Sequence, residues 1–125
     1  MSVNNNMAKL LYVITQGPYS SAQGQEALDA ILIGASFEQN ISVLFLHDGV
    51  FQLKMSQNKD GKSDIKIFTK TYKALNDFGV DQIFVHDLSM LSRGLTSQDL
   101  MMKTQQLSSP EVAELFSQQT RVFTF

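Results

Sequence analysis

The stretch Val43-Leu44-Phe45-Leu46-His47-Asp48-Gly49-Val50-Phe51-Gln52-Leu53 decides the fold. Its first four residues form an apolar run with the length and composition of a buried central strand, and His-Asp-Gly ends that run with turn-forming residues. The residues that follow read as helix. Asp48 is the expected N-cap, accepting backbone N–H groups of the first turn while Val50, Phe51 and Leu53 supply apolar contacts. In an open α/β sheet the carboxyl end of such a strand is where sites are built.

Upstream, Lys9 to Thr15 (K-L-L-Y-V-I-T) is rich in strand formers and is broken by Gln16-Gly17-Pro18-Tyr19. A helix is expected from Ser20 or Ser21, with Ala27, Ala30, Ile31 and Gly34 on one face and Leu28, Leu32 and Ala35 on an adjoining one. Asn40 is its expected C′ residue, and Ile41 opens the next strand. The connection is long enough for a parallel crossover.

Downstream, residues 56–63 (S-Q-N-K-D-G-K-S) read as a surface loop. Gly61-Lys62-Ser63 looks like the tail of a phosphate-binding loop, but Ser56 stands where that motif needs its first glycine, and the expected lead-in is a helix where a strand is required. Ile65, Phe68, Tyr72, Leu75 and Phe78 recur at steps of three and four, which predicts an amphipathic helix stopped by Gly79. Asp81 to Asp87 gives a third strand, and Leu88 to Leu91 a short helix ending at Arg93-Gly94. A weak strand is expected at Met101 and Met102 within Leu100 to Leu107. Ser108-Ser109-Pro110-Glu111 starts a helix with a serine cap, an early proline and an early carboxylate, and its Val112, Leu115 and Phe116 are expected to face inward. Arg121 to Phe125 forms the last strand. The expectation is one α/β domain over residues 1–125, flexible over 1–7: about five mainly parallel strands in three layers, with helices on both faces.

Composition narrows the function. With 125 residues, 43% hydrophobic and 18% charged, the chain is large enough for a core without staples. A net charge of −2 gives no basic excess for gripping nucleic-acid phosphates, so direct nucleic-acid binding is not expected. The chain has no cysteine. That excludes disulfides, thiolate metal sites, cysteine nucleophiles and carriage of a persulfide. Neither a membrane span nor a signal peptide is legible, so the cytoplasm is the expected compartment.

Two strands finish in apolar-apolar-His-Asp, at Leu46-His47-Asp48 and Val85-His86-Asp87. In a parallel sheet both pairs lie at the carboxyl edge, beside the Gly17-Pro18 loop. A shared cleft could use an imidazole paired with a carboxylate to move protons or hold an anion. The simpler reading is that each Asp caps a helix and each His ends a strand, because neighbours on a strand point to opposite faces. The spacing suits neither a zinc site, since no His-x3-His or third imidazole occurs, nor a serine nucleophile elbow. No cofactor is expected. For Phe51, Met55, Met90, Met101, Met102 and Phe123-Thr124-Phe125, core and association surface are equally good readings, since Met and aromatic residues on short or edge elements serve both.

With these residues laid out, the chain resembles the TusC/DsrF branch of the DsrE-like sulfur-relay proteins. The resemblance rests on Gly24-Gln25-Glu26-Ala27-Leu28-Asp29-Ala30, on His47-Asp48-Gly49-Val50-Phe51-Gln52-Leu53, on Arg93-Gly94-Leu95 and on the aromatic C-terminus. D-G-V-F-Q-L is the most specific element. The resemblance implies a non-catalytic α/β subunit of a heterohexamer, with TusB-like and TusD-like sister chains in two copies each, passing persulfide sulfur toward 2-thiouridine at the tRNA wobble position or serving sulfur oxidation. It further implies that the TusD/DsrE-like sister carries a sulfur-accepting cysteine eight positions before the glycine matching Gly94, where this chain has His86. Cleft or interface candidates are Gly17, Asp48, Phe51, His86 and Arg93. A small-ligand-binding domain with a cleft near Asp48 and His86, and a hydrolase using a His-Asp pair, are the alternatives from other classes.

Overall fold

A computed structural model of the chain describes residues 8–17, 23–37, 40–54, 75, 77, 79–80, 82–100 and 102–125. Five parallel strands form one sheet: β1 (Lys9–Ile14), β2 (Asn40–Phe45), β3 (Gln82–His86), β4 (Gln105–Leu107) and β5 (Arg121–Thr124), in the order β4-β3-β2-β1-β5. Among the described residues the helices are α1 (Gln23–Ser36), α2 (Asp87–Ser92) and α3 (Ser109–Ser117), with 3-10 turns at His47–Leu53 and Ser97–Asp99.

The central strands are apolar on both faces because both faces are covered. Alternate residues Leu10, Tyr12, Ile14, Ile41, Val43, Phe45, Ile83 and Val85 belong to the larger core, with Leu28 and Ile31 of α1 and Val50 and Leu53 of the 3-10 helix. The intervening Leu11, Val13, Leu44 and Phe84 belong to a smaller one, closed by Leu107 and by Leu115 of α3. Each large side chain buried in this way contributes about 2 kcal/mol. Strands β1 to β4 step in one direction across the sheet, whereas β5 returns to the far side of β1. Reversing direction under a right-handed crossover moves the connecting helix to the opposite face, which is where Leu115 is found.

Several local expectations are corrected. Helix α1 ends at Ser36 rather than near Asn40, its last turn tightened by a Phe37 N–H bond to Gly34 O at 3.1 Å and a Ser36 hydroxyl bond to Ile33 O at 2.7 Å. Asn40 is instead the exposed first residue of β2. Within Leu100 to Leu107 the strand is Gln105–Leu107, whose only buried residue is Leu107, and Met102 stands outside it. An edge strand with one buried side chain has too little alternation to read. On α3 only Leu115 is buried, Val112 is half-buried and Phe116 is exposed. The 56–63 loop, most of the 65–78 helix, the Ser20/Ser21 start and residues 1–7 lie outside the described residues. Gly79, the expected stop of that helix, has φ +86°, and Val80 N–H closes back onto Leu75 O at 3.0 Å, a bond pattern that ends a helical turn. Met90 is buried, Phe51, Met102 and Phe125 pack against the larger core, and Phe123 is exposed. Of the same set, Met55 and Met101 lie outside the described residues. Among the described residues the most exposed large apolar side chains are Ile33 on α1, Phe37 just after it, and Leu88 and Leu91 on α2, at 54–73%.

Candidate functional site at the carboxyl ends of β2 and β3

Strands β2 and β3 pair with Phe45 beside Val85, so their last residues reach the carboxyl edge level with one another. The two His-Asp sequences are brought together there as expected. His47, His86, Leu88, Ser89, Leu91, Ser92 and Arg93 line an open concavity of about 400 Å³.

At the β2 end the turn is forced. His47 adopts φ +53°, a left-handed conformation that is unusual outside glycine. Its N–H donates to the buried Ser89 hydroxyl at 2.9 Å. Gly49 then passes so close to β1 that a Cβ there would lie 1.8 Å from Ile14 O. Leu46 N–H donates to the same carbonyl at 2.9 Å, which leaves the turn no room to drift outward.

Asp48 is not a helix cap. The 3-10 helix has Leu46 in the cap position with no side-chain capping bond, and the Asp48 carboxylate instead accepts from Arg93 Nε at 2.8 Å. A 3-10 helix of seven residues has only a small dipole to offer a carboxylate, whereas Arg93 offers a full positive charge. Arg93 owes its position to the end of α2. Gly94 takes φ +70° and Leu95 N–H closes onto Met90 O at 2.9 Å, a helix stop that holds Arg93 as the capping residue just after α2. The Arg93 Nη1 group also donates to Ser89 O at 3.3 Å and Ser92 Oγ at 3.0 Å.

His86 ends β3 with its ring held between two hydroxyls, Nδ1 at 2.7 Å from Ser89 Oγ and Nε2 at 2.8 Å from Ser109 Oγ. Ser109 is the first residue of α3, so this imidazole ties β3 and α2 to the helix on the other face of the sheet. Gly17 lies beside the Asp48 carbonyl, which a Cβ on it would meet at 3.8 Å. Gln52, fully buried, anchors that loop by donating from Nε2 to Gln16 O at 2.9 Å, while its Oε1 has no partner among the described residues. Phe51 packs on the main core and does not line the concavity.

Of the sequence candidates, Asp48, His86 and Arg93 therefore converge, Gly17 adjoins them, and Phe51 stands apart. Sequence reasoning missed the part played by Ser89, which falls within the short Leu88 to Leu91 helix, and by Ser109, read only as part of a helix start. The signal available was Ser89 at three residues after His86, the spacing at which a first-turn side chain reaches back. Among the described residues no group of three or more His, Asp or Glu side chains is arranged to hold a metal ion, and no helix is long and apolar enough to cross a membrane.

Residues 8–125 match the DsrE/DsrF-like family. The chain belongs to that family. It is 37% identical to the intracellular sulfur oxidation protein DsrF of Allochromatium vinosum, over 94% of this chain and 96% of that one. It is 33% identical to a TusC homolog of Vibrio parahaemolyticus, over 95% of this chain and all of the relative. The TusC protein of Shigella flexneri is 33% identical over 74% of this chain and 76% of its own length. In fold the chain is similar to the crystal structure of the ychN protein from E. coli, with a TM-score of 0.79 at 18% identity, covering 95% of this chain and all of that one. This DsrE/DsrF-like member has, at the end of β3, an imidazole held between two hydroxyls.

Proposed function

We propose that this chain is a non-catalytic subunit of a cytoplasmic sulfur-relay complex, supporting persulfide transfer toward 2-thiouridine at the tRNA wobble position by holding TusB-like and TusD-like sister chains, two copies of each, in a heterohexamer. The observation that carries the reading is full-length similarity to proteins named DsrF and TusC in a chain with no cysteine. A persulfide is a second sulfur on a cysteine Sγ, so a thiol-free chain contributes contact surface and orientation and does not itself carry the sulfur. The exposed Leu88 and Leu91 beside His86 support a role by contact.

The greater identity to the DsrF protein favours a second reading of the same subunit, in sulfur oxidation. Co-expression of the tagged chain with its presumed sisters separates these readings. Both require a stable complex; the first also requires that deleting this chain lower wobble thiolation, the second that it impair growth on reduced sulfur with thiolation intact. A chain that stays solitary in the presence of its sisters would end both. The concavity beside His86 leaves a small-ligand-binding domain as the reading to adopt in that event.

A further inference from the structure

Ser89 is 3% exposed, and its hydroxyl meets two groups: the N–H of His47 at 2.9 Å and the Nδ1 atom of His86 at 2.7 Å. The first is a fixed donor, so it takes a lone pair of the oxygen. Among the described residues the hydroxyl proton has one acceptor left, and that is Nδ1. Were Nδ1 instead to carry the ring proton, Ser89 would accept twice and bury its own proton without a partner, which costs more than the bond itself. The other end of the ring has no such restriction, because Ser109 is exposed and its hydroxyl can turn to water.

We infer that Ser89 is a positioning residue whose buried hydroxyl donates to His86 Nδ1, so that the neutral imidazole is the Nε2–H tautomer. His86 then presents a hydrogen-bond donor at the carboxyl edge. Its Nε2–H, satisfied by Ser109 in the free chain, suits an electron-rich acceptor on whatever docks there, such as a carboxylate oxygen or a sulfur anion. The same hydroxyl holds the left-handed His47 amide, so one side chain sets both histidines. The inference rests on this geometry and does not require the sulfur-relay reading.

Ring-nitrogen correlation spectra of the full-length 15N-labelled chain at about pH 8, where an ordinary imidazole is neutral, test it. His86 is expected to show an unprotonated Nδ1 and a protonated Nε2. Ser89→Ala is expected to shift the tautomer ratio about fivefold toward Nδ1–H, the worth of one net hydrogen bond. Ser89→Thr, which keeps the hydroxyl, is expected to retain the original tautomer, and Ser109→Ala to leave Nδ1 unprotonated. An Nδ1–H tautomer in the unmodified chain overturns the inference without recourse to any variant. So does a folded Ser89→Ala protein with an unchanged ratio, or a folded Ser89→Thr protein that has lost the original form.

Discussion

Arg93 Nε donates to Asp48 Oδ1 at 2.8 Å, joining the turn after β2 to the end of α2 across 45 residues of sequence. The two side chains are 24% and 64% exposed, so water screens the pair. A double-mutant cycle with Asp48→Asn and Arg93→Gln is expected to give a coupling of about 0.2–1 kcal/mol, shrinking as salt is raised. A coupling well above that range, insensitive to salt, would mean that the pair is shielded from solvent.

Gly49 faces a different constraint. Because a methyl group there would overlap Ile14 O, and backbone rather than a flexible side chain is in the way, Gly49→Ala must displace the turn from β1. The expected loss is about 2–4 kcal/mol in urea unfolding, the size of a severe overpacking substitution. Gly17→Ala is the control: its added carbon would meet Asp48 O at an ordinary 3.8 Å, and the expected change is within about 1 kcal/mol. Equal effects at the two glycines would contradict the geometry.

His47 holds a conformation that glycine adopts without strain. If its side chain were only a strand terminus, His47→Gly would remove a backbone cost of about 1 kcal/mol and be neutral or stabilising, while a β-branched His47→Val would lose about 1–3 kcal/mol. The expected order of stability by thermal unfolding is therefore Gly at or above His, and both above Val. A strained imidazole at the edge of the concavity is expected to matter for docking instead, so that, if the proposed complex forms, His47→Gly weakens association with its other subunits while the fold is intact.

Much of this arrangement was legible in the chain, and the exceptions have physical causes. Apolar runs such as Val43 to Leu46 fixed the central strands, because burial on both faces demands unbroken hydrophobicity. The repeated apolar-His-Asp endings placed two histidines at one edge once the sheet was parallel. What Asp48 does was not readable, because a helix cap and an ion pair with a residue 45 positions away place the same residue type at the same turn. Strand β4 could not be located within Leu100 to Leu107, since one buried leucine leaves no alternation to detect. The hub formed by Ser89 was also hidden, since serine at a helix start has a sufficient local explanation and nothing in sequence shows that an amide and an imidazole converge on its oxygen.

The start of α3 offers the clearest pH prediction. Ser108 N–H donates to Glu111 Oε1 at 2.9 Å, and Glu111 N–H donates to Ser108 Oγ at 3.3 Å, a reciprocal cap. The backbone bond from Ser108, and then its side-chain bond, hold the Glu111 carboxyl below its ordinary value. A carboxyl whose folded-state value is depressed contributes stability above its unfolded value and loses it as pH falls through the folded one. Compared with Glu111→Gln, the unmodified chain is thus expected to hold a constant advantage in urea midpoint above the ordinary carboxylate range, and to lose it on the acid side. Ser108→Ala removes the serine half of the cap and is expected to cost about 1 kcal/mol at neutral pH. In that background Glu111→Gln should have a smaller effect, because the side-chain part of the carboxylate's support is already gone. An advantage that persisted unchanged into strong acid would show that Glu111 stabilises the helix through something other than its charge.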